Sequence, residues 1–342
     1  MKAIVFHRCG GPGVLEPREM PDPACGANDV VVDVRACGIN HLDLWVRAGL
    51  PGLEPEMPHI LGSDVVGVVS RVGAEVAAPE VGARVFVHPT LSCGACERCL
   101  AGDDHLCRYH DVLGRRRNGG YAEKVAVPAA NCLPFPDNLD WPEAAAMPLV
   151  FVTAWHMLAD RAKLAEGETC LVIGAGSGVG SAAVQVARML GARVIASASD
   201  AAKLARAREL GAHETIDHSH EDLARRAREL TGKKGVEVVF EHVGGRIFEQ
   251  GVAALARNGR LVTCGATIGK EAQLDLNALF GRHLTLMGSW MGRRSELVEV
   301  LKFVRDGRLK PVVDSVMPLA EAAAAHRRIE AREHFGKVVL VP

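Results

Sequence analysis

Short apolar runs dominate the chain up to about residue 150: DVVVDVRA, DVVGVVSRVG, ARVFVHP and YAEKVAVP, set off from one another by glycine and proline. Valine-rich runs of that length predict strands, because β-branched side chains suit a pleated backbone while Gly and Pro interrupt it. Near residue 150 the period changes. ETCLVIGAG reads as a strand ending in glycines, SGVGSAAVQVARMLG as a helix, ARVIASA as a strand, DAAKLARARELG as a helix and GVEVVFEHVG as the next strand. GRLVTCGA and HLTLMGS continue the series, and the alternation predicts a parallel sheet wound with right-handed crossovers. From SELVEVLKFVRDG onward come two amphipathic helices and a closing strand, KVVLVP; the alanine-rich AEAAAAHRR is a helix of high intrinsic propensity. No internal repeat or low-complexity tract interrupts this order.

A chain of 342 residues is long for one ordinary core and predicts two domains. Its net charge of −1 argues against general electrostatic binding to nucleic acid or to an anionic membrane. The opening MKAIVFHRCGG reads as a short strand and turn, not as a signal peptide, and no later stretch is long and apolar enough to span a bilayer. A cytoplasmic enzyme is the expectation. Six cysteines, at positions 9, 25, 37, 132, 170 and 264, lie mostly in apolar contexts and read as buried thiols.

The other four carry chemistry. Cys93, Cys96, Cys99 and Cys107 are spaced Cys-x2-Cys-x2-Cys-x7-Cys in a loop rich in Gly and Asp. Short loops between ligands let one segment present four thiolates to a tetrahedral zinc; a disulfide framework is the competing reading, and the expected compartment disfavours it. With all four positions taken by protein, such a zinc is structural, one per chain, and leaves no place for a substrate.

The second constellation follows the apolar strand: Gly174, Ala175, Gly176, Ser177, Gly178, Val179 and Gly180 open a helix. A dinucleotide's pyrophosphate sits at such a place, against unpaired N–H groups and the positive end of the helix. The strict G-x-G-x-x-G is absent, since the register ending on Gly180 reads Ala175, Ser177, Gly180; strand before and helix after still support a dinucleotide site. At the tip of the second strand stand Ala196, Ser197, Ala198, Ser199 and Asp200, with Lys203 a turn further on. Small hydroxyls and a lysine suit a 2′-phosphate, which predicts NADPH; NADH stays open, with Asp200 turned to the ribose.

Together these motifs resemble the medium-chain dehydrogenase/reductase superfamily, the zinc alcohol dehydrogenases and their quinone oxidoreductase relatives, over essentially the whole chain. The resemblance implies an α/β protein: a GroES-like β-rich catalytic domain (residues 1–150 and 290–342, with the zinc lobe at 93–107) and a Rossmann doubly wound parallel-sheet domain (151–289). It implies hydride transfer in the cleft between them, a small-molecule substrate, and a homodimer or homotetramer. Cofactor contacts are then expected at Thr153, Cys264, Gly265, Ala266 and Ser289, beside the glycine loop and the Ser197, Ser199 and Lys203 tip.

The catalytic zinc of the alcohol dehydrogenases does not carry over. Their Gly-x-Cys stretch is Gly38-Ile39-Asn40 here, their Gly-His-Glu is Gly62-Ser63-Asp64, and their third cysteine falls near Leu149. Amide, hydroxyl and aliphatic groups do not replace two thiolates and an imidazole. Asn40 is expected to donate a hydrogen bond to substrate or to orient the nicotinamide, as the same Gly-x-Asn of the quinone oxidoreductase branch implies, with a plain loop asparagine as the alternative. His41 is expected near the pyrophosphate, Asp43 as the residue that fixes its loop, and Asp64 where the family carries a glutamate close to its metal. The leading reading is NADPH-dependent reduction of a quinone or α,β-unsaturated carbonyl. Its rivals are a zinc alcohol dehydrogenase rebuilt from Cys37, His41, His59, Asp64 or His88, and an enoyl-thioester reductase using Arg115, Arg116 and Arg117. A dinucleotide-binding or RNA-binding protein without turnover is the third.

Overall fold

A computed structural model describes residues 1–342. The chain divides into two compact units, Met1–Leu149 with Arg293–Pro342, and Val150–Gly292.

The first unit is built on a seven-stranded sheet. Its long strand Asp29–Gly38 pairs antiparallel with Asp64–Val72 and Lys124–Pro128 and, at its end, with the closing strand Lys337–Val341. Register shifts between Val31 and Val32 and between Val34 and Ala36 bend the strand, so residues on both of its faces are covered. Val30, Val32, Val65, Val127 and Leu340 join one apolar core. Val313–Pro318 lies parallel to the closing strand, an element the sequence does not announce because half-exposed polar residues and a proline interrupt its pattern. The two helices expected near the end are Arg294–Arg305 and Ala322–Glu330.

The second unit is a six-stranded parallel sheet. From edge to edge run Glu214–Asp217, Arg193–Ala198, Thr169–Val172, Val236–Glu241, Leu255–Thr263 and Thr285–Gly288. In chain order this is 3-2-1-4-5-6, the doubly wound Rossmann arrangement, with its switch point beside Thr169–Val172, where nucleotides bind in open α/β sheets. The outermost strand Glu214–Asp217 escapes sequence reading: of its four residues only Ile216 is fully buried. No helix in either unit is long and apolar enough to cross a membrane.

Candidate functional site

In the first unit the strand Asp29–Gly38 ends and the helix His41–Ala48 begins within three residues, with Asn40 at the N-cap. The helix start is fixed from within: Asp43 Oδ2 accepts from the Asn40 N–H at 2.7 Å, and its Oδ1 accepts from the Gly62 N–H at 3.0 Å. Asp43 thus ties the Asn40 turn to the segment carrying Ser63 and Asp64. It is 1% exposed, and burial outweighs both N–H donors, raising its carboxyl to about 7. Its neighbour His41 is half-buried in the first turn, near the Trp45 ring.

The side chain of Asn40 turns into the unit. Its Nδ2 donates to Asp64 Oδ2 at 2.8 Å, and Asp64 Oδ1 accepts from the Leu149 N–H at 2.8 Å. Sequence reading missed the centre of this cluster. Lys337, which opens the closing strand, sends its ammonium to Asn40 Oδ1 (2.5 Å), to Asp64 Oδ2 (2.9 Å) and to the Ile39 carbonyl (2.6 Å). Asn40, Asp64 and Lys337 are 6%, 0% and 3% exposed. A lysine at the head of the otherwise apolar KVVLV was the available signal, since ammonium groups are rarely buried without a partner.

The alternative metal donors do not converge. None of Cys37, His41, His59, Asp64 and His88 belongs to a set of three whose ligand atoms lie within 4.8 Å of one another. His59 Nε2 is held against the Gly114 carbonyl at 3.0 Å, and burial pushes the Cys37 thiol well up and the His88 imidazole down to about 3. Ser63, at the position of the family's histidine ligand, is fully buried. The chemistry of these donors does not fit a catalytic zinc. Arg115 and Arg117, offered above for a thioester carrier, are paired with Asp111 at 2.9 Å and with Asp29 at 2.7 Å.

The four clustered cysteines do fit a metal. Their sulfurs lie 3.9 Å (Cys93 to Cys99), 3.6 Å (Cys96 to Cys99), 3.8 Å (Cys96 to Cys107) and 3.5 Å (Cys93 to Cys107) apart, and none is in a disulfide. Zinc–sulfur bonds of about 2.3 Å in a tetrahedron place neighbouring sulfurs ~3.8 Å apart. Backbone N–H groups of Cys93 and Tyr109 point at Cys107 Sγ, and that of Cys96 at Cys93 Sγ, at 3.3 to 3.4 Å, an arrangement that favours thiolate. The two-stranded ribbon of Thr90–Leu91 and Asp111–Val112 closes the lobe at its base.

In the second unit the glycine loop leaves Thr169–Val172 and enters the helix Gly178–Met189, with Ser177 as the N-cap accepting from the Gly180 N–H at 2.9 Å. Gly174 has φ +69°, and a Cβ there would lie 2.8 Å from His242 Nε2; a Cβ on Gly180 would overlap the Gly174 carbonyl oxygen. Close passage of loop over helix thus requires glycine at both places. His242, which the sequence did not single out, also sits 3.1 Å from Ser177 Oγ, and burial lowers its pKa and keeps it neutral at pH 7. Gly174→Val is therefore expected to weaken nucleotide binding by at least about tenfold through clash with His242. Fluorescence titration with the reduced nucleotide checks this, and an unchanged Kd would contradict the loop's role.

The nucleotide-tip residues separate. Ser197, expected at the cofactor, is instead fully buried, its hydroxyl 3.1 Å from His218 Nδ1 behind the sheet's end. It belongs to the strand Arg193–Ala198, paired with Ile216. Ser199 and Asp200 lie beyond the strand. Asp200 caps the helix Ala201–Glu209, accepting from the Lys203 N–H at 2.9 Å and pairing with its ammonium at 3.3 Å. At the carboxyl edge of the sheet the buried Glu241 accepts from Val243 N–H, Gly244 N–H and Thr263 Oγ1, at 2.5 to 2.6 Å, and holds the turns that present Cys264, Gly265 and Ala266. Burial pushes the Cys264 thiol to about 12, which keeps it protonated at neutral pH. Thr153 Oγ1 and Ser289 Oγ are buried without a hydrogen-bond partner in the protein.

Residues 26–137 match the family described as "Alcohol dehydrogenase GroES-like domain" and residues 178–306 that described as "Zinc-binding dehydrogenase". The chain is 33% identical to a quinone oxidoreductase of Pseudomonas aeruginosa over 350 residues, covering 100% of this chain and 99% of that one. It is likewise 33% identical to an alcohol dehydrogenase of Geobacillus stearothermophilus over 343 residues, 99% of each. Among solved structures, an NAD-dependent alcohol dehydrogenase superposes with a TM-score of 0.97 at 47% identity over 100% of both chains. A thermostable alcohol dehydrogenase from Pyrobaculum aerophilum, solved with cobalt and zinc, gives 0.91 at 34% identity over 100% of this chain and 99% of that one.

Proposed function

Since the chain belongs to the medium-chain dehydrogenase/reductase superfamily and is an NAD(P)-dependent oxidoreductase, we propose that it reduces a quinone or an α,β-unsaturated carbonyl with NADPH, without a catalytic metal and with one structural zinc held by Cys93, Cys96, Cys99 and Cys107. The observation that carries this reading is the buried cluster of Asn40, Asp64 and Lys337, in which an ammonium bonds Asn40, the residue at the sequence position of the family's first cysteine ligand.

A bound zinc would serve alcohol oxidation by stabilising the developing alkoxide as a Lewis acid. Hydride arriving at a quinone or enone instead creates a delocalised anion, for which oriented hydrogen-bond donors suffice. A bound reduced nicotinamide would supply the hydride, one proton with two electrons, and a proton from water would complete the product. Asn40 is the donor proposed to meet the new negative charge.

The NADPH preference rests on Lys203 and Ser199. Asp200 is already engaged by the Lys203 ammonium and a helix N–H, so its charge is largely balanced before a nucleotide arrives. Lys203→Ala is expected to raise KM for NADPH about tenfold while leaving that for NADH within about twofold, as loss of one charge-assisted phosphate contact predicts. Equal changes for both cofactors in steady-state assays would remove the basis for the preference.

A second reading, oxidation of an alcohol, is favoured by the 47% identity to an NAD-dependent alcohol dehydrogenase. The discriminating experiment is turnover after chelator treatment, with NADPH plus 1,4-benzoquinone or an enone on one side and primary and secondary alcohols plus oxidised cofactor on the other. Chelator-resistant quinone or enone reduction supports the proposal; chelator-sensitive alcohol oxidation as the sole activity contradicts it.

A further inference from the structure

Resting on the reading above, we propose that Lys337 is a positioning residue of the active pocket: its ammonium serves as a fixed internal cation that balances Asp64 and sets the orientation of the Asn40 carboxamide. The argument begins with the chain path. The closing strand pairs Val339 with Gly38 and Leu340 with Cys37, and the Ile39 N–H bonds the Val338 carbonyl at 2.9 Å. Lys337 therefore arrives beside Asn40 by strand register, although 297 positions separate the two in sequence.

Three acceptors then use all three ammonium protons: Ile39 O, Asn40 Oδ1 and Asp64 Oδ2. An ammonium only donates and an ionised carboxylate only accepts, so the two neighbours of the Asn40 amide are of opposite kind. Oδ1 must face Lys337 and one Nδ2–H must face Asp64. The flip of the amide is decided by charge, and its second N–H is left outside these bonds as a donor for a substrate oxygen. A flipped amide would turn its carbonyl to that oxygen and repel the anion that hydride transfer creates.

The same ammonium governs metal binding. With Lys337 bonded to Asp64 Oδ2, a divalent ion taking that oxygen would meet a like charge at contact distance in a buried setting, where charges are poorly screened. The Asn40 cluster carries its positive charge as a covalent part of the closing strand.

The test is a thermodynamic and kinetic cycle on the full chain with Lys337→Met, Asp64→Asn and the double variant, with Lys337→Arg as the conservative change. Each single charge removal is expected to lower the melting temperature, and the double variant to recover most of that loss, because an unpaired buried charge costs more than a missing neutral pair. For turnover, Lys337→Met is expected to reduce kcat by at least about tenfold with KM for the nucleotide within about twofold, and Lys337→Arg to restore part of kcat. The double variant should fold well and remain slow. Recovery of wild-type kcat in the double variant would make Lys337 a counter-ion only and overturn the positioning role, as would an unchanged kcat in Lys337→Met. If the wild type reduces no quinone or enone, the function reading is what has failed. The four melting temperatures still report the Lys337–Asp64 pairing, which strictly additive losses would overturn.

Discussion

Asn40→Ala is expected to lower kcat for quinone or enone reduction by about a hundredfold, the size seen when one preorganised donor to a developing oxyanion is removed. Asn40 lies at the helix N-cap with its amide between Lys337 and Asp64, so its donor direction is set before substrate arrives. Preorganisation of this kind acts on the transition state more than on the ground state, and the loss should appear in kcat more than in KM. The truncation also strips one acceptor from Lys337 and one donor from Asp64, both buried, and should cost about 1–3 kcal/mol of stability. Asn40→Gln, which keeps the amide but shifts it by a methylene, should fold and remain slow. Stopped-flow hydride transfer followed by nicotinamide absorbance separates the chemical step from release. An Asn40→Ala enzyme with a wild-type hydride-transfer rate would refute the donor role.

The second large effect belongs to the cysteine lobe. Cys107→Ser is expected to abolish zinc retention after chelator exchange and to lower the melting temperature, because a structural zinc contributes its binding free energy to folding. Cys107 has the heaviest duty of the four: it is 4% exposed, its sulfur lies within 3.8 Å of those of Cys93 and Cys96, and it accepts two backbone N–H bonds. Residues 93–107 include only one helical segment of four residues and one 3-10 turn, too little regular structure to hold the loop by itself. Limited proteolysis should therefore cut this loop in the variant and not in the wild type. Nucleotide binding, expected at the glycine loop of the second unit, should survive. A Cys107→Ser protein that keeps one tightly held zinc per chain would contradict the assignment.

What the sequence makes legible is what is local. Four cysteines within fifteen positions fold into one cluster of sulfurs, seven consecutive residues of a glycine loop lie between a strand and a helix, and the change of period near residue 150 falls at the division between the two units. The Rossmann sheet was readable strand by strand except at Glu214–Asp217, an edge with one buried side chain and hence no apolar signature. Long-range contacts were not readable. Asn40 was singled out for the residue it replaces, but its partner Lys337 lies at the other end of the chain and meets it only through strand pairing. His242 was hidden for the same reason: it supports Ser177 across neighbouring strands, 65 positions away. Ser197 has suitable chemistry for the nucleotide, but its burial and its contact with His218 could not be read from the sequence either.

Zinc per polypeptide chain, measured by elemental analysis after exchange into chelator-treated buffer, tests the central claim most directly. The donors assembled around Cys107 predict one zinc per chain, and Asn40, Ser63 and Lys337 predict none beside Asn40. A value near one, falling to zero in Cys107→Ser, is the expected result. A value near two, with the second zinc lost on Asp64→Asn, would place a metal beside Asn40 in spite of Lys337 and would contradict the metal-independent mechanism.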